Sequence, residues 1–288
     1  MILLFGSTGY IGSEFKKQLT EHNIEFTAWQ NTKTTSFDHL HDFINHQKIT
    51  LVINAAGYTG KPNVDACQSN KEETFYGNVI WPHLLSQWCS LHDIKLLHIS
   101  SGCIFTGNVA NGKGFTEDIE PNFTFKENNC SYYSGTKALA EKAALINNKT
   151  YICRLRIPFE ENDNNRNYIS KILRYSKLLN AENSCSNKQE FVRVCIEMIQ
   201  KEVPYGIYNI VNSGSITTEG LIKKLNNTIA KNKKFNIISD EEFYSSCVIA
   251  PRSNCILNND KILKCGIKID HINDSIDKCL KNWQHNEQ

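Results

Sequence analysis

Short β-branched or leucine-rich runs alternate with longer amphipathic segments through the first half of this 288-residue chain. A glycine-rich turn follows directly on the first apolar run, and after Arg156 the alternation breaks into a polar stretch. These three observations predict an α/β fold, a Rossmann-type doubly wound parallel sheet covered by helices on both faces, with a smaller C-terminal lobe.

In chain order, strands are expected at Ile2–Phe5, Ile24–Trp29, Leu51–Asn54, Lys95–Ser100 and Tyr151–Arg156. Helices are expected at Ile11–Thr20, His39–His46, Glu73–Leu91 and Tyr133–Ile146, the last closing in the turn-like run Asn147–Thr150. Glu160–Asn167 reads as a polar connection, Tyr168–Leu179 as a basic helix, and Gly206–Val211 as a late strand rejoining the sheet. The net charge of +2, from 32 basic and 30 acidic residues, creates no overall field towards nucleic acid or an anionic membrane. Eleven cysteines without a C-x-x-C pair suit a reduced, cytoplasmic compartment better than a disulfide framework. The apolar opening Met1–Phe5 is too short for a signal segment or a membrane span, and the chain offers no metal-ligand set.

Gly6-Ser-Thr-Gly9-Tyr-Ile-Gly12 links the first expected strand to the first helix, where backbone amides and the positive helix end hold a pyrophosphate. Gly6, Thr8, Gly9, Tyr10, Ile11 and Gly12 are therefore expected against a dinucleotide. The G-x-x-G-x-x-G spacing resembles that of short-chain dehydrogenases/reductases. After the second strand, Trp29–Lys33 carries no acidic residue to accept from a ribose 2′-hydroxyl. Asn31 and Lys33 stand there instead, and Lys33 can pair with a 2′-phosphate, so NADPH is expected, with NADH possible. Small residues after the third strand, in Asn54-Ala55-Ala56-Gly57, allow close approach of the cofactor. Residues 1–158 are expected to form the NADP-binding domain, with a segment near 185–212 returning to it, and 159–288 mainly the substrate-binding lobe.

Tyr133 and Lys137 are four residues apart and fall on one helix face, where the ammonium favours the ionised phenol. Ser101 lies at the carboxyl edge of the sheet, the edge at which doubly wound folds bind ligands. Ser101 can hydrogen-bond a substrate carbonyl, Tyr133 can protonate the developing alkoxide, and Lys137 can tune Tyr133 and hold a nicotinamide ribose. The three together indicate hydride delivery to a ketone. Cys103 places a thiol beside the carbons flanking that ketone, whose protons become acidic once the carbonyl is polarised, although a cysteine is more often a small buried hydrophobe. Arg252, in Ala250-Pro-Arg252-Ser-Asn254, can clamp a diphosphate with its planar fork, a surface role being the ordinary alternative. Asn78, within the third expected helix, reads as a support for the sheet or a bound water.

Several segments together resemble one family: Gly6–Gly12, Asn54–Asp65, Gly102–Phe105, Pro121–Thr124, Tyr133–Lys137, Arg154–Pro158, Arg166–Lys171 and Ala250–Asn254. This is the bifunctional UDP-4-keto-6-deoxyglucose 3,5-epimerase/4-reductase of UDP-rhamnose synthesis, an extended short-chain reductase related to dTDP-4-dehydrorhamnose reductase. The resemblance implies that Ser101, Tyr133 and Lys137 form the reductase triad and that Cys103 and Lys171 carry out epimerisation. It also implies that Asn122 and Arg252 meet the nucleotide-sugar substrate, that the enzyme is a homodimer, and that an upstream 4,6-dehydratase, fused to the plant enzymes, supplies the keto sugar from a separate protein. Without the resemblance, Lys171 reads as a solvated helix lysine. Ser101 stands where plant members have threonine, and Lys61 where they have arginine. A 4-keto reductase alone and a non-catalytic NADP-binding regulatory subunit are the competing readings.

Overall fold

The computed structural model describes residues 1–29, 40, 42–43, 46–110 and 112–285. Among these, six strands form one parallel sheet: β1 (Ile2–Phe5), β2 (Phe26–Trp29), β3 (Leu51–Asn54), β4 (Lys95–Ser101), β5 (Thr150–Leu155) and β6 (Gly206–Asn209), in the spatial order β6-β5-β4-β3-β1-β2. The doubly wound α/β architecture is thus present. Strand residues point alternately to the two faces. Leu3 and Phe5 pack against Trp81, Leu85 and Trp88, while Leu4 packs with Phe15, Leu19 and Phe191. Burial on both faces explains why these strands read as continuous apolar runs.

Two helices supply much of that cover, α1 (Gly12–Glu21) on one face and α2 (Trp81–Leu91) on the other. β2 and β3 lie on opposite sides of β1, so strand order reverses there and a crevice opens at the carboxyl edge. Gly6 takes φ +77° in that crevice, and a Cβ on it would sit 2.5 Å from the Ala56 nitrogen; one on Gly12 would sit 2.0 Å from the Gly6 oxygen. Both positions exclude any side chain, which ties the glycine spacing to the small residues after β3.

Some elements depart from the expected bounds. The strand foreseen from Ile24 starts at Phe26, because the Ile24 amide instead closes the end of α1 on the Leu19 carbonyl. The helix foreseen over Glu73–Leu91 begins at Lys71 and widens into a π turn at Tyr76–Ile80 before α2. That turn carries Asn78, whose amide accepts from the Tyr58 nitrogen and donates to the Tyr58 oxygen and Thr136 Oγ1. The basic helix foreseen to Leu179 ends at Arg174 as α4 (Tyr168–Arg174), because Leu178–Leu179 leave to pair with Ile237–Ile238. His39–His46 lies only partly, and Asn31 and Lys33 wholly, outside the described residues.

A separate apolar core gathers Phe159, Ile169, Ile172, Leu178, Leu221 and Ile276 among others. Between the late strand and β5 the chain forms α5 (Lys188–Gln200), capped by Asn187, which buries Phe191, Val194 and Cys195 against the main sheet. Ile262 and Ile267 also return to that main core.

One more helix, α3 (Tyr132–Ala144), is fixed to the sheet by charge. Glu141 receives both prongs of the Arg154 guanidinium from β5, at 2.9 and 2.8 Å, and the Ser100 hydroxyl from β4 at 2.6 Å. Both charged side chains are almost fully buried, so removing one strands the other. Glu141→Ala is expected to cost roughly 3–5 kcal/mol in urea unfolding; a loss below about 1 kcal/mol would show that the pair does not fasten α3.

Candidate active site

β4 ends at Ser101, whose Oγ accepts the Cys103 amide at 3.2 Å and so starts the short 3-10 turn Gly102–Ile104. Across from it, Ser131 caps α3 by accepting the Ser134 amide, which brings Tyr133 into the helix's first turn. The Ser101 hydroxyl and the Tyr133 phenol lie within electrostatic reach of each other. Burial raises the Tyr133 pKa, the nearby Cys103 raises it further, and the Ser101 hydroxyl opposes both. The phenol therefore keeps its proton at neutral pH.

Lys137 lies one helical turn on, 5% exposed, with Nζ donating to the Ile99 carbonyl at 2.8 Å. Burial brings its pKa down to about 8, against the pull of Glu141 and Cys103. His98 is buried in mid-strand; burial, then Lys137, pushes its pKa well down, so it is neutral. Its Nδ1 is 3.0 Å from Asn54 Nδ2, while Asn54 Oδ1 accepts the Ala56 amide. Asn54 thus fixes the loop facing the glycine turn.

Cys103 and Lys171 are brought within electrostatic range of each other. Half-buried Lys171 on α4 has its pKa lowered by burial, then by Arg166 and Arg252, with Cys103 acting in the opposite direction. Arg166 donates to the Gly60 carbonyl at 2.8 Å. Arg252 differs from a free clamp: it grips Asp65 in a fork at 2.8 and 2.6 Å. Burial would raise the Asp65 carboxyl, but Arg252 outweighs it and holds the pKa below the usual range. Asn122 uses both ends of its amide on the Thr106 backbone, so it shapes the loop after Cys103. Beyond Asp65 opens a cavity of about 540 Å³ lined by Pro62, Asp65, Ser69, Ser245 and Ile249 among others.

At the glycine turn, Thr8 and Gly9 are exposed. The Tyr10 ring lies under the Lys188 ammonium at 4.8 Å and Ile11 packs on the main core, so at the turn these two residues offer backbone. A turn with no room for side chains at Gly6 and Gly12, at the start of a helix, fits a pyrophosphate group. Sequence reading passed over Arg156, Glu141 and Asp65. The readable signal for the first was two arginines at alternate positions at the end of an otherwise apolar run, Arg154 and Arg156, both almost fully buried.

A family model described as the RmlD substrate binding domain matches residues 1–285. The bifunctional dTDP-4-dehydrorhamnose 3,5-epimerase/dTDP-4-dehydrorhamnose reductase of Arabidopsis thaliana is 34% identical over 267 residues, covering 90% of this chain and 85% of that protein. A trifunctional UDP-glucose 4,6-dehydratase/UDP-4-keto-6-deoxy-D-glucose 3,5-epimerase/UDP-4-keto-L-rhamnose-reductase of the same plant is 32% identical over 281 residues. That match takes in 96% of this chain, which spans only 41% of the trifunctional protein's length. Among solved structures, the L780 UDP-rhamnose synthase from Acanthamoeba polyphaga mimivirus superposes with a TM-score of 0.89 at 26% identity, over 98% of each chain. No helix among the described residues is long and apolar enough to cross a membrane.

Lys137 generates a test of the site's electrostatics. Its pKa of about 8 in the folded chain lies below the ordinary 10.5, so the buried ammonium weakens the fold at neutral pH. The unfolded chain binds the extra proton between those values, and stability must rise with pH across that window. Urea unfolding is expected to show the native chain gaining about 3 kcal/mol relative to Lys137→Met from pH 8 to 10.5. Parallel curves for the two proteins would rule out a buried, destabilised ammonium.

Proposed function

Because the chain belongs to the RmlD substrate binding domain family, we propose that it is an NADPH-dependent enzyme of nucleotide-sugar rhamnose synthesis. It epimerises UDP-4-keto-6-deoxy-D-glucose at C3 and C5 and then reduces the C4 ketone, giving UDP-L-rhamnose. The observation that carries this reading is the convergence of Ser101, Tyr133 and Lys137 on the carboxyl edge of the sheet with Cys103 two residues away and Lys171 within its electrostatic range. Similarity to relatives named for UDP-linked rhamnose synthesis supports the choice of carrier.

Ser101 and Tyr133 hydrogen-bond the C4 carbonyl oxygen and so stabilise the enolate formed when a neighbouring carbon loses its proton. Cys103, as thiolate, takes that proton and becomes a thiol. Lys171, as ammonium, returns a proton to the opposite face of the same carbon and becomes an amine, which inverts the centre; exchange with solvent restores both groups. The lowered Lys171 pKa makes the ammonium a better acid.

Gly6, Gly9, Gly12, Ala55 and Ala56 would hold NADPH, which supplies a hydride to C4 when bound. Tyr133 then protonates the C4 oxygen, and Lys137 stabilises the phenolate left behind. Arg166, Arg252 and Lys171 concentrate positive charge where a diphosphate would lie, with the Asp65 carboxylate paired to Arg252. The substrate is already oxidised at C4 and deoxygenated at C6, so a 4,6-dehydratase activity must precede this enzyme.

Turnover of the keto sugar with NADPH in heavy water is expected to yield UDP-L-rhamnose carrying deuterium at C3 and C5. A reduced sugar without deuterium at those carbons would leave a reductase alone. Cys103→Ser is expected to slow epimerisation by about 100-fold or more while reduction of UDP-4-keto-L-rhamnose stays within about threefold. Tyr133→Phe should show the reverse bias, losing about 100-fold in reduction. Equal loss of both steps in Cys103→Ser would assign that residue to packing.

A further inference from the structure

We propose that Arg156 is the positioning residue for Cys103: its guanidinium holds the sulfur in place and stabilises the negative charge the sulfur carries once its proton is off. The inference rests on the epimerase reading above and adds a residue to it.

Arg156 follows directly on β5 and is 2% exposed. Its Nη1 donates to Cys103 Sγ at 3.0 Å, and its Nη2 donates to Asn183 Oδ1 and to the Ser253 carbonyl oxygen at 2.6 Å. Nε is buried without an acceptor. Every one of these acceptors is a neutral oxygen or a sulfur, whereas Arg154, two residues earlier, has the Glu141 carboxylate. A buried cation lacking a counter-charge is costly, and the neighbouring groups able to supply one are the thiols of Cys255, Cys103 and Cys185. Burial pushes the Cys185 thiol up to about 12 and raises Cys255 as well. Of the three, Cys103 is the one that takes a hydrogen bond from the guanidinium.

The local backbone is shaped for this contact. A Cβ on Gly102 would lie 2.7 Å from Leu257 Cδ1 and 3.2 Å from Arg156 Cδ, so the arginine stem passes where a side chain would otherwise stand. Ile157, next in the chain, takes φ +34°, a region that β-branched residues rarely occupy. Ser186 holds the bend from both sides, its amide donating to the Arg156 oxygen and its hydroxyl accepting the Arg156 amide. Such strain persists only where the surroundings over-determine it.

The other titratable groups facing Cys103 are Lys171 from α4, Lys137 and Tyr133 from α3, and Cys255. Lys171 changes charge during proposed turnover, and Lys137 has its pKa brought down to about 8. A guanidinium keeps its charge at every working pH. Arg156 therefore supplies the constant positive charge beside the sulfur, while Lys171 remains free to give and regain its proton.

Alkylation of Cys103 by iodoacetamide, followed by peptide mass spectrometry over a pH series on the sugar-free protein, tests the assignment. Arg156→Gln is expected to move the alkylation profile to higher pH, and Arg156→Lys to restore most of that change. Asn183→Asp keeps the guanidinium and sets a competing carboxylate against it, so it is expected to shift the midpoint in the same direction as Arg156→Gln. In the same variant, deuterium uptake at C3 and C5 should fall about tenfold, with reduction of UDP-4-keto-L-rhamnose within about twofold. An unmoved midpoint in Asn183→Asp, with thermal unfolding unchanged, overturns the proposal. Alkylation needs no sugar, so this outcome is distinct from failure of the epimerase reading, which would appear as no deuterium uptake by the native enzyme.

Discussion

The Glu141 carboxylate is the interaction on which the rest of the site depends. It takes the Arg154 fork from β5 and the Ser100 hydroxyl from β4, so one side chain sets α3 in register against two central strands. Tyr133 and Lys137 lie two turns and one turn before it on that helix. Ser101 is the neighbour of Ser100, with its side chain on the opposite face of the strand. A shift of α3 by one residue would separate the phenol from the serine hydroxyl. The same carboxylate favours the charged form of Lys137, so it links the anchoring of the helix to the protonation of the site.

Charge is distributed unequally between the two arginines of this region. Arg154 is neutralised by a carboxylate and stacks near Phe105, 5.0 Å from its centroid, which makes it part of the framework. Arg156 has only neutral acceptors, and its uncompensated charge is directed at a sulfur. A buried ion with a counter-charge serves architecture, and one without a counter-charge is a candidate for chemistry. The same contrast separates Arg252, already forked onto Asp65, from Lys171, which has only like charges and a thiol in its field.

What could be read in the sequence was whatever depends on local periodicity or on a turn's steric needs. Strands β1 and β3 stood out because both their faces are buried and their residues are apolar without interruption. Gly6 and Gly12 stood out because two backbones meet there with no space for a Cβ. Tyr133 and Lys137 were legible through helical spacing taken together with Ser101, the glycine turn and the strand order. Contacts between remote segments were not legible: Asp65 and Arg252 are 187 residues apart, and no periodicity reports a fork. The early end of α4 followed from pairing with Ile237–Ile238, a tertiary choice that overrides the helix propensity of a basic run. The π turn at Tyr76–Ile80 likewise answers to Asn78 holding Tyr58, a demand from another segment.

The proposed pair of reactions has a fixed order that follows from bond chemistry. Removal of a proton from C3 or C5 is feasible only while C4 is a carbonyl, because the negative charge must delocalise onto that oxygen. Reduction at C4 ends this possibility, so a centre left uninverted at that moment stays so. The proposed sequence therefore needs Tyr133 to act twice in different ways: first as a hydrogen-bond donor to the enolate, keeping its proton, and then as the acid that gives it up. A phenol whose pKa is raised by burial suits the first task, since it would hold its proton during the exchange proposed for Cys103 and Lys171. The second task becomes favourable only when hydride transfer turns the C4 oxygen into an alkoxide, a far stronger base than an enolate. The burial that keeps Tyr133 protonated thus delays its proton transfer until the step that fixes the product.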